Sequence, residues 1–300
     1  MPDDIYRLCS DIVDETVAQI PTLATYLGIP GHDHEWTDYS PSGQDAISDM
    51  LRDQFARVEA MPVPDESWGR LAHRVAAQAC ADDVAWYDAG EHLLELNSIS
   101  SPVQDIREIF DHMDTSTAEA WVNIAARLET IADPLSGYRE LLEAGRRQGM
   151  TVARRQVVEA ARQARNQASD GSFFETLAAS AAGSGVADTA TVERIEAAVG
   201  PAKSAYDDLA EYLEGTYLPA AGEADGVGEE RYVRLARRYL GSDIDPRATS
   251  HWGWEEVARL RSSMSDVADE IEPGAICGRS CSSSRPTRNE PPTARRSSAI

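Results

Sequence analysis

His32-Asp33-His34-Glu35 is the densest run of metal-ligand side chains in the sequence. His-x-His can chelate an ion from an extended loop, with Asp or Glu completing the shell. A short loop cannot easily wrap one ion with four neighbours, and no distant third ligand announces itself. The run is therefore expected to be a polar loop, with His32 and His34 kept as the alternative metal site. His34-Glu35-Trp36-Thr37-Asp38 opens like His-Glu-x-x-His but closes on Asp. That motif needs two His one helical turn apart, with Glu beside a metal-bound water. No true copy occurs in the 300 residues.

Other chemistry-bearing groups are scattered. Glu91-His92, Asp111-His112 and His73 fall on helical patterns and are expected in surface-facing or satisfied polar roles. Trp252-Gly253-Trp254-Glu255-Glu256 sets two indoles and two carboxylates at one helix start. The helix dipole favours carboxylates there, and the indoles could form core or a pocket wall. Arg146-Arg147 and Arg154-Arg155 flank Gly149. Such a patch can bind a carboxylate or phosphate, but in so acidic a chain pairing with nearby acids is expected. No serine nucleophile elbow, Walker A loop or dinucleotide fingerprint occurs, and Gly183-Ser184-Gly185 lacks a third glycine and a preceding strand.

The elements that must position these groups are helical. Ser40-Pro41, Ser101-Pro102, Asp133-Pro134 and Asp245-Pro246 each put a capping oxygen before proline, the N-cap then N1 order. Ser116 with Glu119 reads as a capping box, and Gly149 and Gly241 suit C-terminal caps. Val257, Leu260, Met264, Val267 and Ile271 step 3, 4, 3, 4 down one helix face. The spacing predicts helices near 3–19, 41–60, 66–95, 102–113, 116–131, 134–147, 151–168, 172–182, 188–215, 228–240 and 246–271. Pro201 should kink or split the long one. Loops are expected at Gly183–Ala187 and Ala221–Gly228. Strand patterns are nearly absent, so the predicted class is all-α, a multi-helix domain.

Composition bounds the partners. With 28 Lys+Arg against 51 Asp+Glu the formal charge is -23, which repels nucleic acid and anionic membranes. At 42% apolar and 300 residues the chain can build a core. No apolar run approaches the roughly 18–20 residues of a membrane span. Met1–Glu15 carries no secretory pattern, so a cytoplasmic location is expected. Four cysteines are too few for a disulfide scaffold. Cys9 and Cys80 read as buried free thiols. Cys277 and Cys281 have no second ligand pair to make a zinc site.

The sequence changes character after Ala275. Residues 276–300 hold five Arg, six Ser and three Pro with one acid, a net +4. This basic tail is expected to be disordered. The chain also has 27 Arg and a single lysine, Lys203, as GC-rich coding DNA gives. Shifted frames of such DNA yield Arg, Ser and Pro, so the tail is read as translated out of frame. The predicted domains are 1–275 and 276–300.

Several segments add up to a family likeness. They include Pro21-Thr22-Leu23-Ala24-Thr25-Tyr26-Leu27-Gly28-Ile29, His32-Asp33, Asp38-Tyr39-Ser40-Pro41 and Leu96-Asn97. Further along come Ser101-Pro102-Val103-Gln104-Asp105-Ile106-Arg107, Phe110-Asp111-His112-Met113, Trp121-Val122-Asn123, Gly137-Tyr138-Arg139, Arg154-Arg155-Gln156-Val157, Tyr239-Leu240-Gly241 and Trp252-Gly253-Trp254. Over about residues 1–275 the chain resembles the bacterial domain-of-unknown-function 885 family. That resemblance implies a mainly helical protein related to gluzincin-type zinc metallopeptidases, longer than this chain, with its metal motif in the C-terminal half. It implies an N-terminal half of a larger metallopeptidase-like fold, truncated or frameshifted and inactive alone. No cofactor is then expected in this chain, zinc belonging only to the intact family. The expected partners are a peptide substrate or the missing C-terminal half. Asn97, Gln104, Arg107, Trp252 and Glu255 are expected to line the cleft, Arg107 as a carboxylate clamp and Asn97 and Gln104 as amide guides. The alternative is a self-sufficient α-helical interaction module, using its apolar stripes.

Overall fold

The computed structural model describes residues 2–271; the predicted tail, with Cys277 and Cys281, lies outside the described residues. The chain divides into two compact units, 1–228 and 229–300.

The first unit begins with α1 (Pro2–Gln19), α2 (Pro21–Leu27), α3 (Pro41–Ala60) and α4 (Ser67–Asp88). A 3₁₀ turn (Glu91–Leu94) leads to α5 (Pro102–Glu108), α6 (Ala118–Glu129) and α7 (Ala132–Arg147). Then follow α8 (Arg154–Ala168), α9 (Phe173–Gly183) and α10 (Thr189–Tyr212). Among the described residues there is no strand, only one isolated bridge between Ala153 and Gly222. The expected all-α class holds.

The core surrounds α10, which packs on α6, α7, α8 and α9. Its centre is Ile106, Ile109, Ile124, Leu128, Phe174 and Ile195, all fully buried. Tyr138 and Tyr206 are fully buried too, and each places its hydroxyl on a backbone carbonyl: Glu95 at 2.7 Å and Val103 at 3.2 Å. Tyr217 Oη accepts from the Val152 amide at 3.2 Å. A buried phenol needs such a partner, so these bonds fix the helices in register as well as filling space. α7 approaches the 39–40 backbone so closely that a Cβ on Gly137 would lie 2.8 Å from the Ser40 nitrogen. Leu8, Val58 and Cys80 form a smaller cluster where α1, α3 and α4 meet.

Most predicted helices stand, and the departures have local causes. α2 has Pro21 at its first position, but its seven residues are too short for a periodic signal. The helix expected over 66–95 ends at Asp88, because Ala89 is followed by Gly90 at φ +71°. Asp133 is no cap, since α7 already starts at Ala132. Thr117 caps α6 by accepting from the Ala120 amide at 3.1 Å, while Ser116 is bonded back to Asp114. Ser40 caps α3 as expected, and Gly149 closes α7 at φ +76°. Pro201 does not split α10, which runs on into a π-helical turn over Leu213–Tyr217. Cys80 is buried and Cys9 only half-buried, both free.

The second unit holds α11 (Glu229–Leu240) and α12 (Pro246–Ile271). Asp245 caps α12, its Oδ1 accepting from the Arg247 and Ala248 amides at 2.8 and 3.1 Å. Gly241, at φ +66°, ends α11. Arg247 reaches Glu229 at 3.0 Å. Neither helix buries a residue. No helix among the described residues is long and apolar enough to cross a membrane.

Candidate functional site

Two of the predicted site residues, Asn97 and Gln104, sit in one amide network that fastens the 97–101 loop to α8. Asn97 Oδ1 accepts from the Ile99 and Ser100 amides, both at 2.8 Å, and its Nδ2 donates to the Ser100 carbonyl at 2.5 Å. This is the loop-closing habit of Asn in turns. Gln104 Nε2 donates to the Asn97 carbonyl at 3.0 Å and to Gln163 Oε1 at 2.5 Å. Ser101 Oγ donates to Gln104 Oε1 at 2.6 Å, so this hydroxyl serves the glutamine rather than capping α5. Gln163 Nε2 in turn donates to the Ser98 carbonyl at 3.1 Å, and Gln156 Oε1 accepts from the Ser98 amide at 2.9 Å. Both polar ends of the Asn97 and Gln104 side chains are thus engaged within the chain. Gln156 and Gln163 were invisible as partners in sequence, although their spacing of seven puts both on one face of a helix.

Beside this network lies a groove of about 770 Å³, lined by Ser98, Ile99, Arg154, Arg155, Glu159 and Asp225 among others. Arg155 pairs with Asp225 at 3.3 Å, and Arg154 Nη1 donates to the Leu218 carbonyl at 3.5 Å. On α7, Arg146 and Arg147 both hold Glu143, at 2.7 and 2.8 Å. These bonds hold the Glu143 carboxyl well below the usual carboxylate range, at about 2. The expected ion pairing therefore accounts for the arginines flanking Gly149. The groove is mixed in charge and suits an extended chain with both polar and apolar side chains rather than a bare anion.

Arg107, one turn beyond Gln104, is paired with Asp111 and lies 4.2 Å from the Phe173 ring centroid. Its Nε is buried without a hydrogen-bond partner. Neighbouring Asp105 is more than half sheltered; burial, reinforced by the Glu108 charge, pushes its carboxyl up to about 6. Trp252 and Glu255 belong to the second unit. Trp252 is 62% exposed, and Glu255 accepts from His251 Nε2 at 3.1 Å.

The His32–Glu35 loop does not assemble a metal shell, and this corrects the His32/His34 alternative. Glu35 Oε2 lies 2.9 Å from His32 Nδ1, and its other oxygen is 3.8 Å from His34 Nε2. The loop's only acid–imidazole contacts are therefore spent on each other. Among the described residues no group of three His, Cys, Asp or Glu side chains is placed to hold an ion. The residues present do not fit a zinc ion. What fixes the loop is a residue that sequence reading missed. Arg127, fully buried on α6, donates to the Glu35 and His32 carbonyls, both at 3.0 Å.

The helical architecture and this polar lining describe a chain with binding grooves and no assembled catalytic set among the described residues. The chain belongs to the family described as "Bacterial protein of unknown function (DUF885)", which it matches over residues 21–289. Two solved structures share its fold. One, a putative lipoprotein from Colwellia psychrerythraea, superposes with a TM-score of 0.77 at 15% identity, covering 91% of this chain and 52% of that one. The other, a putative lipoprotein of unknown function from Shewanella oneidensis, gives 0.71 at 14% identity, covering 95% and 50%. The chain thus spans about half the length of these solved relatives. No curated protein matches it.

Proposed function

We propose that the chain forms the metal-free helical half of a longer zinc-peptidase-like protein, a half that binds and encloses peptide but does not cleave it. The observation that carries this reading is the lopsided superposition: nine-tenths of this chain is matched by half of each solved relative. The peptidase character is what the sequence resemblance implies, and the groove beside Ile99 and Arg154 supplies the walls an extended peptide needs. Asn97, Gln104 and Arg107 shape that wall from behind, and Trp252 and Glu255 would add contacts from the second unit. The partners are accordingly a peptide and the remaining half of the fold. The role of these residues is binding, with no chemical step assigned to them. For location, the expected cytoplasm competes with the envelope, which the lipoprotein descriptions of the two relatives support.

The test has two arms. The purified chain, dialysed against zinc, is assayed for metal content and for cleavage of a peptide library. The expected result is no stoichiometric zinc and no turnover. The DNA downstream of the Ala275 codon is also translated in all three frames, where a further helical stretch containing His-Glu-x-x-His is expected. Turnover by the 300 residues alone, or no such stretch in any frame, overturns the reading.

A further inference from the structure

The apolar stripe of α12 carries an inference independent of that reading. Val257, Leu260, Met264, Val267 and Ile271 are 37%, 46%, 57%, 54% and 81% exposed, although they are the helix's most apolar line. A soluble protein rarely leaves so continuous a row uncovered unless something docks there. The spacing identifies the kind of occupant. A 3.6-residue face against a globular core needs a third apolar column; this one repeats every 3.5 residues with only two, the narrow seam of a coiled coil. In heptad terms Val257, Met264 and Ile271 are a positions and Leu260 and Val267 are d positions. Two of the three a residues are β-branched and the first d residue is Leu, the choice that favours two parallel strands.

The flanking charges point to a second copy of the same helix. Glu256 falls at a g position and Arg261 at the e position five residues later. In a parallel pair of identical helices, g of one strand meets that e of the other, so Glu256 would face Arg261 of the second copy twice, once on each side of the seam. Glu256 already holds Arg259 within its own helix at 2.5 and 2.8 Å. A carboxylate has acceptor sites for a second guanidinium. The remaining g position that has its e partner within α12, Ser263 with Ala268, is neutral and adds no repulsion. Long-range charge would oppose pairing of two chains at -23 each, but this unit escapes it: residues 229–271 hold nine acids against seven arginines. The near-neutral segment is thus where self-association meets least repulsion.

We propose that the chain forms a parallel homodimer through α12, with Val257, Leu260, Met264, Val267 and Ile271 as the seam and Glu256–Arg261 as the pair that sets register and direction. The experiment is light scattering and sedimentation equilibrium on the full 300-residue chain over a concentration series. A dimer is expected. Leu260→Glu, which puts two carboxylates into the seam, should weaken it by about 100-fold or more. Glu256→Arg and Arg261→Glu should each weaken it by about 3- to 10-fold, and the double exchange should recover it, because e–g pairs set partner orientation. Circular dichroism of each variant checks that the first unit still melts as in the parent. A monomer at every concentration overturns the proposal, as does a dimer indifferent to Leu260→Glu. Failure of the double exchange to recover a dimer weakened by both single changes overturns the parallel arrangement. Zinc content and peptide turnover do not enter these readouts, so this inference can fail without the functional reading failing, and the reverse.

Discussion

Trp36 and Arg127 hold each other across 91 residues of sequence. The indole Nε1 donates to the Arg127 carbonyl at 2.9 Å, while the guanidinium lies 5.6 Å from the indole ring centroid. The same guanidinium donates to the carbonyls of His32 and Glu35, so one buried cation binds a loop by its backbone and stacks on the residue that ends it. Burial costs this charge its hydration, which lowers its pKa to about 10, and Asp33 supplies the largest opposing charge. The loop is therefore positioned by α6 rather than by an ion.

Arg127→Met should show that dependence. The change keeps most of the packing volume and removes the charge, but it leaves the His32 and Glu35 carbonyls without their donor. Each orphaned acceptor costs about 1–3 kcal/mol, and relief of the buried charge offsets part of it, so a net loss of roughly 2–4 kcal/mol is expected. Hydrogen exchange should quicken over residues 31–38 while α8 stays protected. Unchanged exchange in the loop would remove Arg127 from its role.

Gly137→Ala tests the close approach of α7 to the 39–40 segment. In an ordinary helix this substitution stabilises by up to about 1 kcal/mol. Here the new Cβ would sit 2.8 Å from the Ser40 nitrogen and 3.3 Å from the Tyr39 carbonyl carbon, both backbone atoms with little room to retreat. Forcing the two apart should cost about 1–3 kcal/mol. Urea unfolding of the variant gives the sign directly, and a gain in stability would contradict the packing described.

How much of this was readable in advance depended on the range of the interactions. Ser40 before Pro41 and Asp245 before Pro246 act within four residues, and both cap as their types require. The boundaries of α3, α11 and α12 follow from such local chemistry. Ser116 failed by one place because Asp114 competed for its hydroxyl and left Thr117 to cap. Arg127 gave no signal at all, since its partners lie 92 and 95 residues away and are carbonyls, which no side-chain pattern betrays. Asn97 and Gln104 were rightly grouped, and Gln104 does bond the Asn97 carbonyl. Sequence could not show that their amides turn inward to the loop and to Gln163, because that depends on where α8 packs.

Gln163→Met should release that loop. The thioether fills similar volume but cannot donate to the Ser98 carbonyl or accept from Gln104. The loss of two partly buried hydrogen bonds is worth about 1–3 kcal/mol. Limited proteolysis should then cut between Asn97 and Ser101, near the exposed Ile99, faster than in the parent. If the groove takes peptide, affinity should fall as well, because Ser98 and Ile99 form one of its walls. Equal cleavage rates would mean that the network does not restrain the loop.

Asp105 gives the pH prediction. Burial, with the Glu108 charge adding to it, raises its folded pKa to about 6, against about 3.9 for a free aspartate. The folded state therefore binds more protons than the unfolded chain between about pH 4 and 6. Stability from this group is fully present below about pH 4 and is lost as pH rises through 6. At neutral pH the protein carries an aspartate it would rather hold protonated. Asp105→Asn, neutral and nearly the same shape, should then stabilise the protein at pH 7 by about 1–2 kcal/mol, the upper figure reduced because part of the group meets solvent. The difference between variant and parent should shrink as pH falls from 6 to 4 and vanish below it. Urea midpoints at pH 4, 5, 6 and 7 measure this, and a variant equally stabilised at every pH, or destabilised at pH 7, would show that Asp105 is not held as described.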